Sequence, residues 1–209
     1  MDSIEDIVGV VLAGGQSRRM GGGDKGLRPL GGKPILAYVM ERFAPQVSRV
    51  VLNANGDPAR FAAFGCPVIA DTISGFQGPL AGIEAALTWI AANSPRTRWA
   101  VTVPGDTPFV PTDLVTRLVE AVGEARMAVA CSEAGVHPVV GLWPVTIVEA
   151  LRDALAKEQR KVTQWVEQQG AAKVFFPPVE IGKGRIDPFF NINRPEDLGA
   201  AEALIGARA

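Results

Sequence analysis

The chain has 209 residues, 47% of them hydrophobic and 21% charged, with a formal net charge of -1. That length supports one domain with a substantial core, and residues 1–209 are read as a single unit because no Pro/Gly/Ser-rich linker divides them. The near-neutral balance excludes the basic bias of a nucleic-acid binder, so an anionic ligand must be held by a local site rather than by the overall field.

Taken in chain order, strand and helix signals alternate. Residues 7–12 are apolar and β-branched and read as a buried strand. Residues 34–43 have helical spacing with Pro34 in the first turn. Strands are expected at 50–53, 68–70 and 99–103, a short helix at 58–64, and an amphipathic helix opening on Pro79 and running to 92. Thr112 is expected to cap a helix ending near Val122. Further on, strands are expected at 127–131, 139–143, 173–176 and 189–192, and helices at 145–157, 162–169 and 196–205. This alternation predicts a three-layer α/β/α domain with a mostly parallel sheet, plus a hairpin or antiparallel member after Met127. Ligands on such a sheet bind beyond the carboxyl ends of its strands. Functional loops are therefore expected after Leu12, Asn53, Ala70 and Val103.

Several chemistries are excluded. His137 is the only histidine, so no multi-His zinc site can be built, and no G-x-S-x-G nucleophile motif is present. Cys66 and Cys131 lack CxxC spacing and read as small apolar side chains. The longest apolar stretches, 7–13 and 99–104, are too short to span a membrane. Residues 1–6 are acidic, with no positive n-region. A reducing cytoplasm is the expected compartment.

The first strand runs into Ala13, Gly14 and Gly15, followed by Arg18, Arg19 and Lys25. Adjacent glycines let backbone N–H groups approach an anion closely, and cations on arms of different length suit a triphosphate. The P-loop pattern is absent. Gly21, Gly23 and Gly26 satisfy G-x-G-x-x-G but lie nine residues beyond the strand in a chain with 23 glycines, which makes it a chance match. A solvated Gly-rich loop is the alternative.

Leu12-Ala13-Gly14-Gly15 with Arg19-Met20-Gly21 and Asp24-Lys25-Gly26-Leu27 resembles the signature loop of pyrophosphorylase-type nucleotidyltransferases, and molybdenum cofactor guanylyltransferases in particular. The resemblance continues in order through Asn53-Ala54-Asn55, Asp71, Gly78-Pro79-Leu80-Ala81-Gly82, Asp106-Thr107-Pro108, His137-Pro138 and Asn191-Ile192-Asn193-Arg194-Pro195-Glu196-Asp197-Leu198.

The resemblance implies a Rossmann-like nucleotidyltransferase fold, a Mg²⁺ cofactor, and transfer of GMP from GTP to the phosphate of Mo-molybdopterin. The acceptor molybdoenzyme or its chaperone would be a further partner. Asp106 would hold the metal, with an N-cap or Asx turn as its alternative. Lys25 would stabilise charge at the transferring phosphoryl group. Arg19 would hold the departing pyrophosphate, or else is a solvated loop cation.

Leu12, Ala13, Gly14 and Gly15 would flank base and sugar. Asn53 and Asp71 would meet the base or the ribose. The Gly78–Gly82 turn would serve packing, or touch the nucleotide through Gly82. Asn191 and Asn193, sharing a face of the expected strand, would line the active site, where one of them completes the metal shell or binds phosphate. A turn role is the alternative for that pair. His137 is read as a packed residue. Arg160 and Lys161 either bind the pterin phosphate or form a solvated helix start. The rival readings are a cytidylyltransferase on the same or another phosphorylated metabolite, disfavoured by Leu-Ala-Gly-Gly, and a non-catalytic cofactor-delivery module, disfavoured by the pair Lys25 and Asp106.

Overall fold

The structure is a computed structural model and describes residues 7–14, 23–73, 78–159, 161–182 and 184–206. Strand β1 (Ile7–Leu12) leads to a two-residue hairpin, β2 (Pro29–Leu30) and β3 (Lys33–Pro34), and then to helix α1 (Ile35–Phe43). Strand β4 (Arg49–Asn53), a 3₁₀ turn (Pro58–Phe64), β5 (Val68–Ile69), helix α2 (Pro79–Asn93) and β6 (Trp99–Pro104) follow. Helix α3 (Leu114–Val122) precedes β7 (Ala128–Ser132) and β8 (Gly135–Pro144), then α4 (Val148–Ala156), α5 (Val162–Gln168) and β9 (Ala172–Phe175). A second small hairpin, β10 (Val179–Ile181) and β11 (Gly184–Ile186), and helix α6 (Pro195–Gly206) complete the described elements.

Seven strands form the central sheet in the order β5-β4-β1-β6-β8-β7-β9. Only β8 runs against the rest, pairing antiparallel with β6 and β7; the other pairings are parallel. Successive β1 side chains alternate between two cores. Ile7 and Val11 face Leu36, Val39 and Phe43 of α1 and Leu114 and Leu118 of α3. Val8 and Val10 face Leu80, Ile83 and Leu87 of α2, Leu151 of α4 and Trp165 of α5. These are the three layers the alternation predicts. Because β1 has β4 on one side and β6 on the other, the chain reverses its direction of travel across the sheet here. A crevice opens at such a switch point, beyond the carboxyl ends of β1, β4 and β6.

Four expectations need correction. Thr112 does not cap α3; the helix starts at Leu114 after Asp113, and no side chain caps it. The segment expected to be one helix over 145–157 opens as a 3₁₀ turn (Val145–Ile147) before α4 begins. Strand β8 begins at Gly135, earlier than expected, because its first residues pair with β7 across a tight turn. The register jumps from Val129↔Gly141 to Ala130↔His137, so Pro138 falls in the bulge, where its missing N–H breaks no ladder.

Finally, no strand forms at 189–192. Asp187 turns the chain instead: its Oδ1 accepts from the Phe189 N–H at 2.8 Å and its carbonyl from the Phe190 N–H at 3.1 Å. Cys66 and Cys131 are free thiols, both partly buried.

A third, smaller cluster joins distant parts of the chain. Leu30 and Ile35 pack with Phe109, Ile181, Ile192 and Ala201. It seats α6 and the 187–193 segment against the loop that carries Lys25.

Candidate active site

Strand ends and short backbone bonds bring the candidate residues together. The Ala13 N–H donates to the Asn53 carbonyl at 2.8 Å, and the Gly105 N–H donates to the Leu12 carbonyl at 2.9 Å. The end of β1 is thereby clamped between the loops after β4 and β6. On the β6 side, Asp106 follows the strand directly. The Lys25 Nζ lies 3.2 Å from Asp106 Oδ2 and also donates to Asn193 Oδ1. Burial pushes the Asp106 carboxyl above its ordinary range, and the adjacent Lys25 charge works in the opposite direction.

Lys25 sits on a one-turn 3₁₀ helix, Lys25–Leu27, that lies flat against the loop after β6. Gly26 makes that approach possible: a Cβ there would stand 3.0 Å from the Gly105 carbonyl oxygen and 3.3 Å from Leu36 Cβ. Asn193 is delivered by backbone bonds of its own. The Ile192 N–H donates to the Asp106 carbonyl at 3.0 Å, and Asp197 Oδ2 accepts from the Asn193 and Arg194 N–H groups at 2.8 and 2.9 Å. Asn191, by contrast, is exposed. The expected shared strand face is therefore absent, and only Asn193 is joined to Lys25.

On the β4 side, a polar cluster surrounds Asp71. Its Oδ1 accepts from Asn53 Nδ2 at 3.0 Å and its Oδ2 from Asn55 Nδ2 at 2.8 Å, while its own N–H donates to Asn55 Oδ1 at 2.8 Å. An ionised carboxylate has about four acceptor sites, so Asp71 keeps capacity for ligand donors. Asn53 is buried at 4% exposure and lies under α2. Gly82 faces it, and a Cβ there would overlap Asn53 Oδ1 and stand 3.1 Å from Leu12 Cδ2. Gly82→Ala is therefore expected to displace the Asn53 amide and cost about 1–3 kcal/mol of stability through overpacking. Thermal denaturation checks this; an unchanged melting temperature would show that the helix shifts freely.

Gly15 and Arg19 lie outside the described residues, as does Arg160, and Lys161 is exposed at the start of α5. His137 packs at the β8 end of the sheet, its ring centroid 4.7 Å from that of Phe189. Its Nε2 is 2.7 Å from Ser132 Oγ, which also donates to Asp187 Oδ2 and accepts from the Ala134 N–H. Burial lowers the His137 pKa, against the pull of Asp187. Serine's proton goes to the carboxylate, so the trio is a structural tie rather than a hydrolytic triad. Sequence reasoning gave no role to Asn55, Arg60 or Asp187. The Asn-x-Asn spacing at Asn53 and Asn55 was a usable signal for the first.

Among the described residues no group of three or more His, Cys, Asp or Glu could cage a metal ion. The oxygen donors converging near Lys25 are one carboxylate and one side-chain amide. That set fits Mg²⁺, which keeps several waters and takes much of its shell from substrate phosphates.

Comparison with known proteins identifies the family. Residues 9–173 match the MobA-like NTP transferase domain. A molybdenum cofactor guanylyltransferase from Mesorhizobium japonicum is 50% identical over 203 residues, covering 96% of each chain. The chain belongs to the molybdenum cofactor guanylyltransferase family. Among solved structures, molybdopterin-guanine dinucleotide biosynthesis protein A from Archaeoglobus fulgidus superposes with a TM-score of 0.70 at 24% identity, covering 95% of this chain and 98% of that one. A 4-diphosphocytidyl-2C-methyl-D-erythritol synthase from Anaerococcus prevotii gives 0.68 at 13% identity, covering 97% of both chains. At those identities the likeness is one of fold.

Proposed function

We propose that this chain transfers GMP from GTP to Mo-molybdopterin. An oxygen of the molybdopterin terminal phosphate forms a bond to the α-phosphorus of GTP, and the bond from that phosphorus to the pyrophosphate oxygen breaks. The observation that carries the reading is the 50% identity, over nearly the whole of both chains, to a molybdenum cofactor guanylyltransferase.

The site residues suit the step. The attacking group is already an ionised phosphate, so no general base is required and positioning with charge neutralisation suffices. The Lys25 ammonium has three donors, two of them directed at Asp106 and Asn193, which leaves one for a phosphate oxygen. Asp106 would hold Mg²⁺, with Asn193 beside it. Bound there, Mg²⁺ supplies charge neutralisation at the phosphates. Asp71 and Asn53 recognise the nucleotide, since a carboxylate can accept from guanine N1–H and N2–H together. No helix among the described residues is long and apolar enough to cross a membrane. We assign the chain to the cytoplasm, with the acceptor molybdoenzyme or its chaperone as the recipient of product.

The test is a panel of nucleoside triphosphates with Mo-molybdopterin, Mg²⁺ present, scored for dinucleotide product and pyrophosphate. GTP is expected to exceed CTP by at least about tenfold in kcat/KM, some 1.4 kcal/mol of discrimination. Equal or better turnover with CTP would replace the guanylyl reading with the cytidylyl one. Nucleotide binding without pyrophosphate release would leave only a delivery module.

A further inference from the structure

Arg60 stands where the two sides of the site meet. It is carried on the 3₁₀ turn Pro58–Phe64 after β4. Its Nε lies 2.5 Å from Asp24 Oδ2 and its Nη2 3.3 Å from Asp24 Oδ1. Nη1 also donates to the Asp57 carbonyl and Nη2 to the Asn55 carbonyl. The guanidinium carbon lies 4.8 Å from the Phe61 ring centroid. The loop bends around this fork at Gly56, whose φ is +89° and whose added Cβ would stand 3.2 Å from Nη1. Arg60 and Asp24 are 27% and 20% exposed. A partly sheltered guanidinium that holds a carboxylate with two nitrogens and caps two carbonyls differs from a solvated ion pair, which typically contributes little.

Each partner of Arg60 has a second engagement. Asn55 grips Asp71 from both ends of its side-chain amide. Asp24 immediately precedes Lys25, and its carbonyl accepts from the Leu27 N–H at 3.2 Å, closing the turn that carries Lys25. The Asp24 carboxylate sits at the N-cap of that turn yet makes no capping bond; it is directed at Arg60 instead. A continuous path therefore runs from Asp71 through Asn55, Arg60, Asp24 and Lys25 to Asp106, in which each link is a hydrogen bond, an ion pair or a peptide bond.

We propose that Arg60 is a positioning residue that, through Asp24, fixes the height and angle of Lys25 relative to the nucleotide-recognition loop. The inference rests on the roles of Lys25 and Asp71 given under Proposed function. The bonds described for Arg60 go to Asp24, Asp57 and Asn55, and none goes to Lys25, Asp106 or Asn193 themselves. Its contribution appears when Lys25 must meet charge developing at the transferring phosphoryl group, so its loss is felt in kcat more than in KM.

The experiment compares wild type, Arg60→Met, Arg60→Lys, Asp24→Ala and the double variant Arg60→Met/Asp24→Ala in the pyrophosphate-release assay, with GTP varied at saturating Mo-molybdopterin. Methionine keeps an apolar stem over Phe61 and removes the fork. For Arg60→Met, kcat is expected to fall about 10- to 100-fold, the scale on which small misplacements of a positioned group act. KM for GTP is expected to stay within about threefold, because the base-side contacts remain. Arg60→Lys restores the charge but not the planar fork and recovers part of the loss at most. Asp24→Ala reproduces the fall, and the double variant is no slower than the worse single, since both changes cut the same link.

Additive losses in the double variant, full rescue by lysine, or a rise in KM with kcat unchanged would each overturn the proposal. If Arg60→Met fails to fold, as read from its melting curve, Asp24→Ala decides the matter, because it removes the ion pair and leaves the carbonyl contacts of Arg60 in place; a wild-type kcat in that variant overturns the proposal. A wild type that releases no pyrophosphate from GTP would instead count against the guanylyl reading itself, so the two failures are distinguishable.

Discussion

Asp106→Ala is expected to all but abolish GMP transfer while leaving the fold intact. The carboxylate is the one acidic side chain within hydrogen-bonding distance of Lys25 among the described residues, at the strand end where a metal-bound triphosphate would converge. Removing it takes away the principal oxygen ligand proposed for Mg²⁺ and half of what holds the Lys25 ammonium in place. The backbone roles survive, since the Asp106 carbonyl still accepts from the Ile192 N–H. Burial already works against ionisation of this carboxyl, so its loss relieves a desolvation cost and should not unfold the domain. Circular dichroism and pyrophosphate release, measured together, check the expectation. Activity within about tenfold of wild type, roughly 1.4 kcal/mol of barrier, would show that Asp106 is not the metal residue. Asp106→Asn separates charge from shape: it keeps an acceptor for Lys25 and should still lose most of the rate.

Lys25→Ala comes next in expected size, a fall in kcat on the order of 10²–10³, typical for one well-placed donor at developing charge. Its Nζ is held between Asp106 and Asn193, so it is already oriented before substrate arrives. An interaction realised mainly in the transition state lowers kcat and kcat/KM together. A ground-state tether for the triphosphate would raise KM and leave kcat alone, and a solvated cation would move neither. Lys25→Arg should not rescue fully, because a planar fork cannot occupy the place of a compact ammonium between two oxygen acceptors. Kinetics at saturating cofactor, with GTP varied, distinguish these outcomes.

Much of the fold was legible because its inner strands are short β-branched runs, closed by Ala13-Gly14 after β1, by Asn53 at the end of β4 and by Gly105 after β6. β1, β4 and β6 begin and end within a residue or so of their expected limits. Local pattern failed where a long-range bond settled the conformation. Residues 189–192 are mostly apolar and suit a strand, yet the Ile192 N–H is bound to the Asp106 carbonyl and Asp187 bends the chain beforehand. The β2–β3 hairpin was missed although Gly31-Gly32, both at positive φ, marks its turn; two-residue strands have too little periodicity to register.

The site was legible in part for the same reason. Strand ends placed Asp106, Asn53 and Asp71 near the crevice. No spacing rule could say that Asn193 would reach Lys25 while Asn191 would not, or that Arg60 would engage Asp24. Those pairings are made in three dimensions, by the small cluster around Leu30 and Ile192 and by the bend at Gly56.

The bond from Lys25 to Asn193 closes a separation of 168 residues, and the cluster beneath it unites Leu30 with Ile192 and Ala201. During synthesis, the strands that present Asn53 and Asp71 can pair long before Asn193 has been made, since parallel neighbours β4, β1 and β6 lie within the first half of the chain. The side proposed to recognise the nucleotide needs only these early strands, whereas the Lys25–Asn193 bond needs the chain as far as residue 193. Such late, long-range closure is slow relative to local structure. The two sides of the proposed site therefore differ in how much of the chain each requires, and the Lys25 side can be completed only once nearly all of it has been made.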